Sequence, residues 1–180
     1  MRMIRTVATI ALALAVGMLL VPPDDSWAQE KRKIAWAAPA PDAKYTQQHA
    51  IDVGDVPGHQ VRILEIRQTY PSGAPVFDGV RVVEDWVRGY SDYTAVNGHG
   101  WGYGQYVLEN GDKIFSRWEA VNQTVVAPDG SKKTSGTFVV TLTGGTGKFR
   151  GIRGTLRGAN VFNPREGWIE RQIEGEYWIE

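Results

Sequence analysis

The chain has 180 residues, with 20 basic and 20 acidic side chains and therefore no formal net charge at pH 7. That balance, mixed along the chain without basic blocks, argues against nucleic acid or an anionic membrane surface as a partner. Cysteine is absent, so no disulfide staples the fold and stability has to come from a packed core.

The first segment reads as a secretory signal peptide over residues 1–28. Arg2 and Arg5 precede an uncharged apolar run over residues 7–21, and Ser26-Trp27-Ala28 offers a small-x-small cleavage site. The run is shorter than the ~20 residues of a membrane span, and no later stretch approaches that length. The expected product is a periplasmic or secreted protein without a stable span, beginning near Gln29. Export without cysteine fits a bacterial periplasm or exterior better than a disulfide-rich module. Residues 29–59 are rich in Ala, Pro and charge, with Pro39 and Pro41 opposing helix and central strand, and read as an extended arm and lead-in.

Strand signals begin at residues 60–70, where Val61, Ile63 and Glu65 share one face and Arg62, Leu64 and Ile66 the other. Apolar residues on both faces predict a well-covered strand. Pro71 to Pro75 breaks the run. Over residues 80–93, Val82, Glu84, Trp86, Arg88 and Tyr90 alternate against Val83, Asp85 and Val87. Residues 101–108 alternate aromatics with glycines, and Glu109-Asn110-Gly111-Asp112 is the strongest hairpin signal in the chain. Further strands are predicted over 113–126, 134–143, 152–161 and 168–180, separated by Pro128-Asp129-Gly130-Ser131, Gly144 to Gly147 and Asn163 to Gly167. About seven or eight short strands with no helical period predict one antiparallel sandwich or barrel over residues 60–180.

The segment Phe138-Val-Val-Thr-Leu-Thr-Gly-Gly-Thr-Gly-Lys-Phe-Arg-Gly-Ile-Arg-Gly-Thr-Leu156 resembles the signature of the allene oxide cyclase barrel and of plant dirigent proteins. The aromatic hairpin from Tyr106 to Trp118 and the terminal Glu176-Tyr177-Trp178 fall in the same order. The resemblance implies a single antiparallel eight-stranded β-barrel, calycin-like, with a central cavity, and a homodimer or homotrimer. Phe149 is placed to plug the barrel end. Leu64-Glu65-Ile66-Arg67 resembles the family's Tyr-Glu-Ile-Asn stretch, which puts the functional carboxylate at Glu65, with Arg67 where the family has Asn.

A barrel of about eight strands has room for its own side chains or for one small ligand. Glu65 is accordingly the candidate catalytic carboxylate, with an outward-facing charge as the alternative. Candidate ligand contacts are Arg67, Glu84, Trp86, Tyr90, Trp101, Tyr103, Tyr106, Arg117, Trp118 and Glu119, with Asp85 a further acidic candidate. Glu84, Trp86, Arg88 and Tyr90 share one face, inside or outside. Trp101, Tyr103 and Tyr106 flank glycines and form a candidate aromatic mouth, although aromatics in β proteins more often serve core or cross-strand packing than ligand contact. His49, His59 and His99 are dispersed, so no metal is expected, and Gly144 to Lys148 lacks the spacing and helix of a phosphate loop. No cofactor is implied. Three functions fit: a carrier for a small, mainly apolar or aromatic molecule, a cyclase or isomerase of the allene oxide cyclase or dirigent type, or a structural barrel with a packed interior.

Overall fold

A computed structural model describes residues 30–130, 132–163, 166 and 168–180. The expected signal peptide, its cleavage site at Ala28, and Ser131, Pro164, Arg165 and Gly167 of two predicted turns lie outside the described residues. The fold is all-β. Its strands are β1 (Arg32–Ala38), β2 (Ala43–Asp52), β3 (His59–Thr69), β4 (Val76–Phe77), β5 (Val80–Thr94), β6 (Asn97–Leu108), β7 (Lys113–Val126), β8 (Lys132–Gly145), β9 (Ile152–Asn163) and β10 (Trp168–Ile179). All pairings are antiparallel, in the order β1-β10-β9-β8-β7-β6-β5-β3-β2, with β4 attached to β5.

The segment read as an extended arm contributes β1 and β2. Pro39 and Pro41 confine their disruption to a three-residue 3-10 turn, Ala40–Asp42, while the flanking residues pair with β10 and β3. Ala and Lys have weak strand preference, so these strands form because partner edges are available, which periodicity does not report. The predicted eight-stranded count becomes ten strands. The hydrogen-bonded path also stays open, since β1 and β2 end it without pairing to each other.

The sheet nonetheless curls around one interior. Following paired residues from Arg171 on β10 leads through Asn160, Gly136, Asn122, Gly98 and Tyr93 to Gln60 on β3. The Arg171 side chain instead contacts Gln68, on the same strand but much further along it. This stagger is what a curled, tilted sheet produces when its two ends approach. At one end Phe77, Leu108, Ile114, Leu142, Phe149, Ile152 and Leu156 form an apolar plug. Phe149, in a 3-10 turn after the glycine segment, is fully buried there. At the other end Ala43, Ile66, Phe162 and Ile169 form a smaller cluster.

Three bulges set which residues face inward. The one between Val82 and Glu84 on β5 places both Val82 and Asp85 in the interior, whereas strict alternation puts them on opposite faces. Thr46 is the extra residue on β2, and Thr143 that on β8. The expectation that β3 is covered on both faces is not met: Val61 and Ile63 are 40% and 56% exposed. Among the described residues no element packs on the outer face of β3, and only Leu64 and Ile66 of that strand contribute to the interior cluster.

The inner face of β6 is paved with Gly100, Gly102 and Gly104, because β5 and the Trp118 indole approach too closely for side chains. A Cβ on Gly102 would lie 2.1 Å from Arg88 O and 2.5 Å from Gly89 Cα, both backbone atoms. Gly102→Ala is therefore expected to cost about 1–3 kcal/mol or more of unfolding free energy, measured by urea denaturation. A clamp at the β2–β3 loop gives a second prediction. His59 binds Asp55 through Nδ1 (2.6 Å) and Asp92 through Nε2 (2.8 Å). Its pKa is raised by the Asp92 bond and then by Asp55, while Asp55 is held down by His59. The His59 contribution is present in full below its unfolded pKa and is lost as pH rises through the raised folded value. The Asp55 contribution is lost as pH falls through its lowered value. Amide exchange in residues 53–58, corrected for intrinsic rates, is expected to be slowest between the two.

Candidate functional site

Several inward-facing series contain one or two polar residues among apolar ones. On β10 the inward series is Ile169, Arg171, Ile173 and Tyr177; on β9 it includes Leu156, Asn160 and Phe162; on β7 it includes Ile114, Ser116, Ala120 and Asn122. On β3 Gln68 follows Ile66, and on β5 Asp85 and Ser91 are buried. Burying a polar group without a partner costs free energy, so these positions demand an account. All of them but Gln68 line one internal cavity of about 100 Å³, which Trp36, Trp118, Phe138 and Phe162 also line.

The charged centre of this cavity is Arg171 with Asp85, whose side chains are 12% and 5% exposed. Arg171 Nη2 donates to Asp85 Oδ2 and to Gln68 Oε1, each at 3.3 Å. Tyr70 OH donates to the same Asp85 oxygen at 2.9 Å, and Trp36 Nε1 donates to Tyr70 OH at 3.2 Å. Gln68 is anchored in turn by donating to Thr69 O at 3.0 Å. Burial opposes the charge on Arg171 and is the largest single influence, but Asp85 together with Tyr70, Tyr106 and Tyr45 outweighs it and the pKa is raised. Burial, and then Asp85, pushes Tyr70 far up, and burial does the same to Tyr106. The guanidinium stays charged and the phenols stay protonated donors at physiological pH.

The rest of the lining is incompletely satisfied. Among the described residues six buried side-chain polar atoms have no hydrogen-bond partner, and five of them belong to residues lining this cavity: Asp85 Oδ1, Ser91 Oγ, Asn122 Oδ1, Asn160 Oδ1 and Arg171 Nε. Asn122 Nδ2 donates to Tyr93 OH. Gly136 lies between the two asparagines on the ladder, and a Cβ there would overlap Asn122 Oδ1. Folded proteins leave few such groups unpaired, and a cluster of them around one space marks where a bound molecule or ordered water belongs.

Of the residues singled out in the sequence, the interior holds Tyr106 and Trp118, with Asp85 beside them. Tyr106 is buried in the plug, and the Trp118 ring lies against Gly89 and Gly100 while Nε1 donates to Tyr103 O at 3.3 Å. The remaining candidates have their side chains on the outer face, although Trp86 is also among the residues that border the cavity. Glu65 does not face the cavity. It pairs with Arg88 at 2.6 Å and accepts from Thr46 Oγ1 at 2.6 Å, and the Thr46 bond leads the causes that lower its pKa. Arg67 pairs with Glu84 and, with Arg88, sits over the Trp86 ring, while Trp86 Nε1 donates to Glu84. Tyr90 stacks on Trp101, Arg117 lies over Tyr103, and Glu119 is opposite Trp101 on the neighbouring strand. Trp101 and Tyr103 therefore form no mouth with Tyr106, because residues 101 and 103 point outward and 106 inward. Part of this outer face forms a groove of about 1140 Å³, but its polar side chains are solvated or paired, as Arg157 is with Glu174.

Arg171, Gln68, Tyr70, Trp36, Asn122 and Asn160 were not singled out from sequence. Their signal is a single polar residue within a period-2 apolar series, clearest in Ile169-Arg171-Ile173. Breaking the buried pair strands a charge, whereas removing both charges does not. Arg171→Met alone is expected to lower unfolding free energy by about 3–5 kcal/mol, and the double variant with Asp85→Leu to lose less than either single variant in urea denaturation.

No family model matches the chain, and no curated protein matches it. Among solved structures it is similar to a pyocyanin demethylase, with 19% sequence identity over 81% of this chain and 99% of that chain and a TM-score of 0.39. That likeness is too distant to bear on function.

Proposed function

We propose that this protein binds a small molecule inside its curled, barrel-like sheet. The observation that carries the reading is the convergence of five unpartnered, buried polar atoms on one cavity. A dry cavity of about 150 Å³ holds benzene, so a space of about 100 Å³ limits the ligand to at most a single ring. The aromatic and aliphatic lining supplied by Trp36, Trp118, Phe138, Ile66 and Phe162 suits an apolar body. The polar atoms require that body to carry hydrogen-bonding groups. The periplasmic or secreted setting belongs to the same proposal and rests on the basic start, the apolar run and the small-x-small site of residues 1–28.

A second reading, turnover of the held molecule as in the cyclases and isomerases that Phe138 to Leu156 resembles, rests on a different carboxylate from the one the resemblance implies. Asp85 presents Oδ1 to the cavity, while Glu65 is paired outside. Catalysis by proton transfer needs a carboxylate within hydrogen-bond reach of the substrate, and Asp85 is the carboxylate among the residues lining the cavity.

Native and denaturing mass spectrometry of protein purified from the cells that make it tests the binding reading. A mass retained under native conditions and released on denaturation is expected in the wild type and in Glu65→Gln. It is expected to be absent from folded Ala120→Phe, which fills the cavity from β7. A bare wild-type mass that persists after incubation with metabolite extract sinks the reading.

A further inference from the structure

The cavity contains more positive than negative charge. Its ionised lining consists of Arg171, Asp85 and Arg62. Arg171 and Asp85 neutralise each other, whereas Arg62 has no carboxylate at ion-pair distance among the described residues. Arg62 donates through Nε (3.2 Å) and Nη2 (2.6 Å) to the neutral Gln60 Oε1, which leaves Nη1 unused. Gln60 in turn donates to Asp52 at 2.8 Å, so that carboxylate reaches Arg62 only through an amide.

Two phenols face the same region. Tyr93 OH accepts from Asn122 and so retains its own proton to donate, and Tyr45, on β2, lines the cavity without a hydrogen-bond acceptor. Arg62 influences both phenols electrostatically. Burial pushes the Tyr45 pKa up to about 12, so its O–H remains a donor. Arg62 Nη1 and two phenolic O–H groups thus line the cavity without an acceptor of their own, while its unpartnered acceptors are Asp85 Oδ1, Asn122 Oδ1 and Asn160 Oδ1. Charge-assisted bonds from such donors to an oxyanion are about twice as strong as neutral ones.

From this arrangement we infer that the cavity takes a single-ring monoanion whose carboxylate, or a comparable oxyanion, is received by Arg62, Tyr45 and Tyr93. Its ring lies among Trp118, Phe138 and Leu64, and its far edge meets the acceptors Asp85 Oδ1 and Asn160 Oδ1. The inference rests on the binding reading above and adds the charge of the ligand. A hydrocarbon would leave Arg62 unpaired, and a dianion would leave net negative charge in a buried space.

The test is calorimetric titration of the full-length protein with benzoate and with benzamide, its neutral isostere, in wild type, Arg62→Gln and Arg62→Lys, with circular dichroism to check folding. Benzoate is expected to bind the wild type about tenfold tighter than benzamide, or better. The preference is expected to fall to within about twofold in Arg62→Gln and to return largely in Arg62→Lys. Benzamide binding as tightly as benzoate, or a preference that survives Arg62→Gln, overturns the inference and leaves the binding reading intact. Failure of both probes to bind the folded wild type at millimolar concentration also overturns the inference, and the binding reading falls with it only where the native mass is bare as well.

Discussion

The structure depends on how a sheet closes when its two end strands do not pair. β1 and β2 terminate the hydrogen-bonded path side by side in sequence yet unpaired, so the seam between them is spanned by side chains. Arg171 from β10 reaches Asp85 and Gln68 on β5 and β3, and Gln68 also donates to Pro39 O in the connection between β1 and β2. One guanidinium thereby ties three strands and the seam together. A buried ion pair contributes little net stability against apolar packing of the same volume, but it is costly to break, and its geometry admits few alternatives. It specifies how the sheet curls more than it strengthens the curled state.

The same pair defines the cavity. It stands between the apolar plug around Phe149 and the smaller cluster around Phe162, where the chain has placed polar residues and glycines instead of large aliphatic ones. At the lining Gly104 brings no side chain, and Asn122, Asn160 and Ser91 replace apolar contacts with hydrogen-bonding atoms. A packed structural core would be expected to do the reverse, filling space and avoiding unpaired polar groups. The bulges make the arrangement possible: one extra residue on β5 turns Asp85 inward while leaving Val82 in the plug. One more on β2 frees the Thr46 hydroxyl to bond Glu65 on the outside.

The outer face follows a different logic. Glu65, Arg88, Arg67 and Glu84 form ion pairs around Trp86, an arrangement in which cation–π contacts and exposed salt bridges each contribute modestly. Tyr90, Trp101 and His99 stack beside them. These residues carry the family resemblance at Glu65 and most of the aromatic signal in the sequence, yet their polar atoms are already engaged with one another. The chemistry available to a ligand lies on the opposite face of the same strands.

The sequence by itself determined the all-β class, most strand positions from β3 onward, the Glu109 to Asp112 hairpin and the glycine turn that delivers Phe149. Each of these is local: period-2 alternation, turn residues and glycine placement act within a few bonds of where they are read. It also determined which residues share a face, as for Glu84, Trp86, Arg88 and Tyr90. Only the tertiary structure decided which face is inside, because alternation is symmetric and a single bulge inverts it, as at Val82 and Asp85. Tertiary structure likewise made strands of the Ala- and Pro-rich lead-in, whose weak propensities are overridden by the open edges of β10 and β3. It also brought Arg171 to Asp85, two residues 86 positions apart in the chain, because the stagger of a curled sheet is a property of all its strands together and is written in none of them singly.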